Sequence, residues 1–134
     1  MYQIRKGWPS QGAIDEVLMA KPGETITDGM VAAIDTATGK LIPANYTGAA
    51  ADTDPMPAFI IGVERVKGTI TGIMSQCVIE VDASHYEADT YAIGDFLTAK
   101  AGKFAKAGSS KAIGRVMQFD ATSGLMRLMW HESR

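Results

Sequence analysis

The sequence predicts a small, mainly β fold, a β-barrel or β-sandwich, on three observations. Short apolar runs alternate with clusters of Gly, Pro, Asp and Thr, the punctuation of strands and turns. The chain holds 14 glycines among 134 residues, enough for many tight reversals. Only one segment, 82–90, has the spacing for a helical turn, with Asp82 or Ser84 as its cap.

The length suits one domain, and an apolar share of 46% with a charged share of 21% suits one packed core. Residues 1–12 stand apart: they hold Arg5 and Lys6, no acid, and two large aromatics, Tyr2 and Trp8, and Trp8-Pro9 stops any regular element. They are expected to form an extended N-terminal arm, with 13–134 as a single β-barrel-like domain.

Strands are expected at 13–19, 29–34, 40–43, 58–64, 76–82, 95–99, 103–107, 112–119 and 125–130. In 77–81 and 125–130 a charged residue interrupts apolar ones, the mark of one wet face. Phe59-Ile60-Ile61-Gly62-Val63 does not alternate and reads as a strand covered on both faces.

The two halves echo one another. Asp28-Gly29-Met30-Val31-Ala32, Gly39-Lys40-Leu41-Ile42-Pro43-Ala44 and Ile61-Gly62-Val63 are answered by Gly94-Asp95-Phe96-Leu97-Thr98, Gly102-Lys103-Phe104-Ala105-Lys106-Ala107 and Ile113-Gly114-Arg115-Val116. Each half reads as a hairpin followed by a strand. Gly39 and Gly102 would take positive φ where the hairpin turns back.

A formal net charge of -2 gives no bulk attraction to nucleic acid or to anionic membrane. No apolar run follows Arg5 and Lys6, so no secretory signal is expected and the chain is taken to be made in a cytoplasm. The single cysteine, Cys77, cannot form an internal disulfide and reads as a core residue of a strand. Eight methionines are many for this length; Met117, Met126 and Met129 read as core fillers, or as an adaptable contact surface.

Chemistry-bearing residues are sparse. Ser84, His85 and Asp89 lie close in sequence, but triad members converge from separate segments, so hydrolysis is not expected. His85 with Asp89, and Asp52 with Asp54, each offer two metal ligands and no third. His131 has no recognisable partner. No catalytic residue, cofactor or metal is therefore expected. Charge order is more telling. Glu80, Asp82, Glu87, Asp89 and Asp95 run without a base, and Lys100, Lys103, Lys106, Lys111 and Arg115 follow without an acid. One reading is solvated edges. The other is contact between copies, with Glu80, Asp82, Glu87 and Asp89 of one meeting Lys103, Lys106 and Lys111 of the next.

Ala92-Ile93-Gly94-Asp95-Phe96-Leu97, the Gly102-Lys103 turn, Ala112-Ile113-Gly114-Arg115-Val116 and Leu125-Met126-Arg127-Leu128-Met129-Trp130 occur together in order. In this they resemble the small capsid cement, or head decoration, proteins of tailed bacteriophages. The similarity is clearest over 92–130, with a fainter echo over 23–63. It implies a β module that binds the outer surface of an assembled head at junctions of the major capsid protein, as a homo-oligomer with a trimer favoured. The arm would then add reach, with Tyr2, Ile4, Arg5, Lys6, Trp8 and Pro9 as its contact residues. A non-viral cytoplasmic β-barrel adaptor or ligand-binding module is the alternative that composition allows.

Overall fold

The computed structural model describes residues 2–6, 15–47, 57–60, 69–73 and 76–130. Eleven strands among them are β1 (Tyr2–Lys6), β2 (Asp15–Met19), β3 (Val31–Ile34), β4 (Leu41–Pro43), β5 (Pro57–Ile60), β6 (Thr69–Ile73), β7 (Cys77–Val81), β8 (Phe96–Lys100), β9 (Lys103–Lys106), β10 (Gly114–Asp120) and β11 (Leu125–Trp130). They form a six-stranded sheet, β1-β7-β11-β10-β8-β9, and a five-stranded sheet, β2-β6-β5-β3-β4. Every strand pairing is antiparallel. The smaller sheet has its edges joined at one point, a parallel bridge from Ala20 to Leu41, but neither sheet closes into a barrel.

The main core lies where the sheets meet. Val31, Ala33, Ala44 and Tyr46, from β3 and the segment after β4, pack with Ile79, Val81, Leu97, Phe104, Leu128 and Trp130 of the larger sheet. Alternate residues of β3 point the other way, so Ala32 packs with Leu41, Ile26 and Ile34 in a second small cluster. β3 is thus covered on both faces, and its small alanines let the layers come close.

Backbone hydrogen bonds stitch the two sheets together. Gly102 N–H donates to Ala44 O at 2.9 Å, Ala44 N–H to Val31 O at 3.0 Å, and Val31 N–H to Gly102 O at 2.9 Å. This closed triangle joins the β3–β4 hairpin to the tip of the β8–β9 hairpin. Tyr46 N–H adds a fourth bond, to Ala99 O at 2.9 Å.

The β8–β9 tip is a two-residue turn between the paired residues Lys100 and Lys103, with Ala101 at φ 49° and Gly102 at φ 87°. Positive φ at both central residues is the type I′ pattern that matches strand twist. Ala101 is the only non-glycine at positive φ among the described residues, and its Cβ is strained there. Replacing it with Gly or Asn is expected to raise stability by about 0.5–1 kcal/mol, read as a higher urea midpoint with unchanged slope.

The hairpins share a register. Ala32 pairs with Pro43 and Ala58, while Leu97 pairs with Lys106 and Gly114. Gly29 and Gly94, and Gly39 and Gly102, all have positive φ. The third strands do not follow the sequence echo, since Gly114 is the counterpart of Ala58 rather than of Gly62. Residues 61–63 lie outside the described residues.

Four expectations change. Tyr2, Ile4, Arg5 and Lys6 do not project as an arm, for their backbone forms the edge strand β1, paired with the chain's own β7. Segment 69–73 is a strand, although it is not among the strands expected from the sequence. Segment 82–90 makes one hydrogen-bonded turn, His85 N–H to Asp82 O at 3.1 Å. It then extends, because Tyr86 bridges to Phe104, and no helix occurs among the described residues.

The fourth concerns β7, which has no wet face and is buried at every position. It lies between β1 and β11. Its Glu80, only 8% exposed, sits directly opposite Arg127, whose Nη2 lies 3.3 Å from Glu80 Oε2. Arg127→Ala would leave the shielded carboxylate without the cation opposite it. It should cost about 2 kcal/mol, a value reduced because the arginine is partly solvated. Adding Glu80→Gln should recover part of that loss in a double-mutant cycle of urea unfolding.

Candidate functional site

The cluster richest in reactive groups lies on the loop after β7. Asp82 Oδ1 accepts from Ser84 N–H at 3.0 Å and from the Ser84 hydroxyl. His85 Nδ1 lies 3.1 Å from the same oxygen and 3.0 Å from Ser84 Oγ. His85 Nε2 lies 3.3 Å from the Asp28 carbonyl oxygen. Sequence proximity of Ser84 and His85 thus becomes spatial contact, but the carboxylate is Asp82. Asp89 instead accepts from Thr90 N–H at 2.7 Å.

This is not the arrangement of a hydrolytic triad. There the serine addresses one imidazole nitrogen and the carboxylate the other. Here both address Nδ1, and the serine proton is directed at the carboxylate rather than at the ring. The cluster works as an Asx turn that lets His85 pin the loop before β3. Beside it is an open cleft of about 260 Å³ lined by Thr27, Asp28, Ser84, His85, Ala101 and Lys103. Among the described residues no three His, Cys, Asp or Glu side chains gather as a metal site. Asp52, Asp54 and His131 lie outside those residues.

The charged residues of the second half sit closer together than their order suggests. Glu87 N–H donates to Phe104 O at 2.8 Å and Phe104 N–H to His85 O at 2.9 Å. The acidic loop therefore runs along lysine-bearing β9 within one subunit and covers its outer edge. Lys106 Nζ lies 3.6 Å from Asp95 Oδ2 and 5.9 Å from the centre of the Tyr91 ring. Lys111 caps the Tyr46 ring at 5.3 Å. Lys103 is exposed on the cleft beside Ser84 and His85. Glu80 faces Arg127 inside its own sheet, and the two line an open cleft with Gln118, Asp120, Ser123 and Leu125. Of the arm residues, Trp8 and Pro9 lie outside the described residues.

Cys77 is buried in the main core, and burial pushes its thiol up to about 11 from 9.0. Burial, then the charge of Asp89, also raises the Tyr91 hydroxyl, which donates to Glu87 O at 2.7 Å. The sign follows from which state ionises first. The unfolded thiol loses its proton near pH 9, while the folded one keeps it until about 11, so stability falls as pH rises between those values. Iodoacetamide should modify Cys77 only after denaturation, and rapid labelling of the native protein would contradict this burial.

Sequence reasoning missed the feature next to this lysine strand. Ala92-Ile93-Gly94-Asp95 is a type II turn, with Gly94 at φ 91° and Asp95 N–H bonded to Ala92 O at 3.1 Å. It presents Ile93 outward at 78% exposure, the most exposed large apolar side chain among the described residues. Beside it, Gly94, Asp95, Phe96, Lys106 and Gly108 line a cleft of about 330 Å³. The Arg115 guanidinium lies 4.7 Å from the centre of the Phe96 ring. The signal lay in the apolar residue ahead of Gly94, where a turn tip normally carries a polar one.

Known protein families, curated proteins and solved structures were compared with the chain, and none matches it.

Proposed function

We propose that the chain is a structural virion protein, a small β-sandwich-like module that binds the outer surface of an assembled tailed-phage head and stabilises it. The observation that carries this reading is the folding of residues 92–130, which bear the resemblance, into one continuous antiparallel unit, β9-β8-β10-β11. Its polar side chains serve turns. Asp95 accepts from Ala92 N–H, and Asp120 from Thr122 N–H and Ser123 Oγ. The shared hairpin register supports a second part of the reading, that both halves derive from one hairpin-plus-strand unit.

The partner in this reading is the major capsid protein, and the chain acts as a homo-oligomer, a trimer favoured. A ligand that binds only the assembled, expanded shell stabilises it by its binding free energy, and many copies multiply the effect. Purified protein should co-sediment with expanded heads stripped of it and raise their rupture temperature. Failure to bind such heads would sink the proposal.

The arm residues Tyr2, Ile4, Arg5, Lys6, Trp8 and Pro9 remain proposed contacts, best tested by substitution. Deleting them would remove β1 and uncover the edge of β7, confusing lost stability with lost binding.

A further inference from the structure

We propose that His85 is an acid-tightened clasp: the doubly protonated ring ties the loop after β7 to the turn before β3, and loss of one proton loosens that tie. The clasp belongs to the fold of the chain and goes beyond the virion reading.

Each ring nitrogen faces an oxygen. Nδ1 lies 3.1 Å from Asp82 Oδ1 and 3.0 Å from Ser84 Oγ, and Nε2 lies 3.3 Å from the Asp28 carbonyl oxygen. A neutral imidazole carries one N–H and one lone pair, whereas the imidazolium carries two N–H groups. A neutral ring that donates to Asp82 turns its Nε2 lone pair on the Asp28 carbonyl. One that donates to Asp28 turns its Nδ1 lone pair on the Asp82 carboxylate, and the Ser84 hydroxyl gives no relief while it donates to Asp82. Only the imidazolium satisfies both sides at once, and its bond to Asp82 is charge-assisted.

The ring is held in place by its own backbone. His85 N–H donates to Asp82 O at 3.1 Å, and His85 O accepts from Phe104 N–H at 2.9 Å. The side chain is 12% exposed, so water competes little for either nitrogen. The turn that it grips is closed by Met30 N–H to Thr27 O at 3.2 Å. Val31, the next residue, belongs to the triangle with Ala44 and Gly102. The clasp therefore acts where the two sheets are fastened together.

The charges around the ring favour the imidazolium. Hydrogen bonds from the N-terminal amine, then from Ser84, hold the Asp82 carboxylate well below its usual range, so it stays ionised at neutral pH. Across the cleft, the exposed Asp28 and Lys103 carry opposite charges. An ordinary imidazole changes charge between about pH 5 and 8. The N-terminal amine beside Asp82 is the other group here that titrates near the top of that range.

Amide exchange of residues 27–30 in the full chain, corrected for the intrinsic rate, should slow by about tenfold from about pH 8 to about pH 5.5, as the second N–H forms. His85→Gln can still donate to Asp28 O but has no proton to gain, so its protection should be the same at both ends. Unchanged protection in the wild type overturns the inference. So does a pH dependence that survives in His85→Gln, which would belong to the N-terminal amine. Should the glutamine variant fail to fold, the wild-type ring decides: its nitrogen chemical shifts and the exchange of 27–30 should titrate with one midpoint, and separate midpoints overturn the clasp. These readouts involve no head, so a failure to bind heads bears only on the virion reading.

Discussion

Trp130→Ala is expected to lower stability by about 3–5 kcal/mol, a large part of the roughly 5–15 kcal/mol that holds a domain of this size folded. Trp130 is fully buried and is among the largest side chains in the core. It closes β11, the strand between β7 and β10, and its backbone lies opposite Cys77 on one side and Gly114 on the other. Its ring meets Phe104 edge to face, with centroids 6.0 Å apart and planes at 83°. Removing the indole empties the contact between β11 and the edge strand β9. Gly114 cannot help fill it, since a Cβ there would already lie 3.0 Å from Met129 O. Trp130→Phe should retain most of the loss. Urea unfolding with near-ultraviolet dichroism measures both variants, and an alanine variant within 1 kcal/mol of wild type would refute the packing described.

Gly102→Val should cost about 3 kcal/mol, from a β-branched residue at positive φ together with overpacking. Even a bare Cβ at this position would lie 2.8 Å from Met30 Cγ. Relief by movement of the turn is blocked, because the Gly102 N–H and C=O are both held by the β3–β4 hairpin. Gly39→Ala is the matched control: its φ is 69°, but nothing lies within 4 Å of the added atom, so only the backbone penalty of about 1 kcal/mol applies. Thermal melts of the two variants separate strain from crowding. Equal losses would mean that the contact with the first hairpin adds nothing.

What could be read from the sequence was whatever is written locally. Gly39-Lys40 and Gly102-Lys103 mark real turns because positive φ is a local demand that glycine meets. The alternation of β11 is also real, since only one of its faces is buried at each second residue. β7 misled because its Glu80 is solvated neither by water nor by position, but matched by Arg127, 47 residues later. Tyr2–Lys6 reads as a tail until β7 is present to receive it, and Thr69–Ile73 gains its strand character from β2 and β5. At the site, the nearness of Ser84 and His85 was legible. That both address a single nitrogen was not, because it depends on how the loop turns around Asp82. The Phe96 cleft is assembled from β8, β9 and the turns beside them, so no stretch of sequence displays it.

The triangle of Val31, Ala44 and Gly102 has a consequence for biosynthesis. The amide of Val31 waits for a carbonyl made 71 residues later, so a nascent chain that has emerged only as far as β5 can form the β3–β4 ladder but leaves that amide without its partner. Closing so long a loop is slow, so the junction between the two hairpins forms late. The first hairpin is in this way fastened to the larger sheet only after the second hairpin has been made.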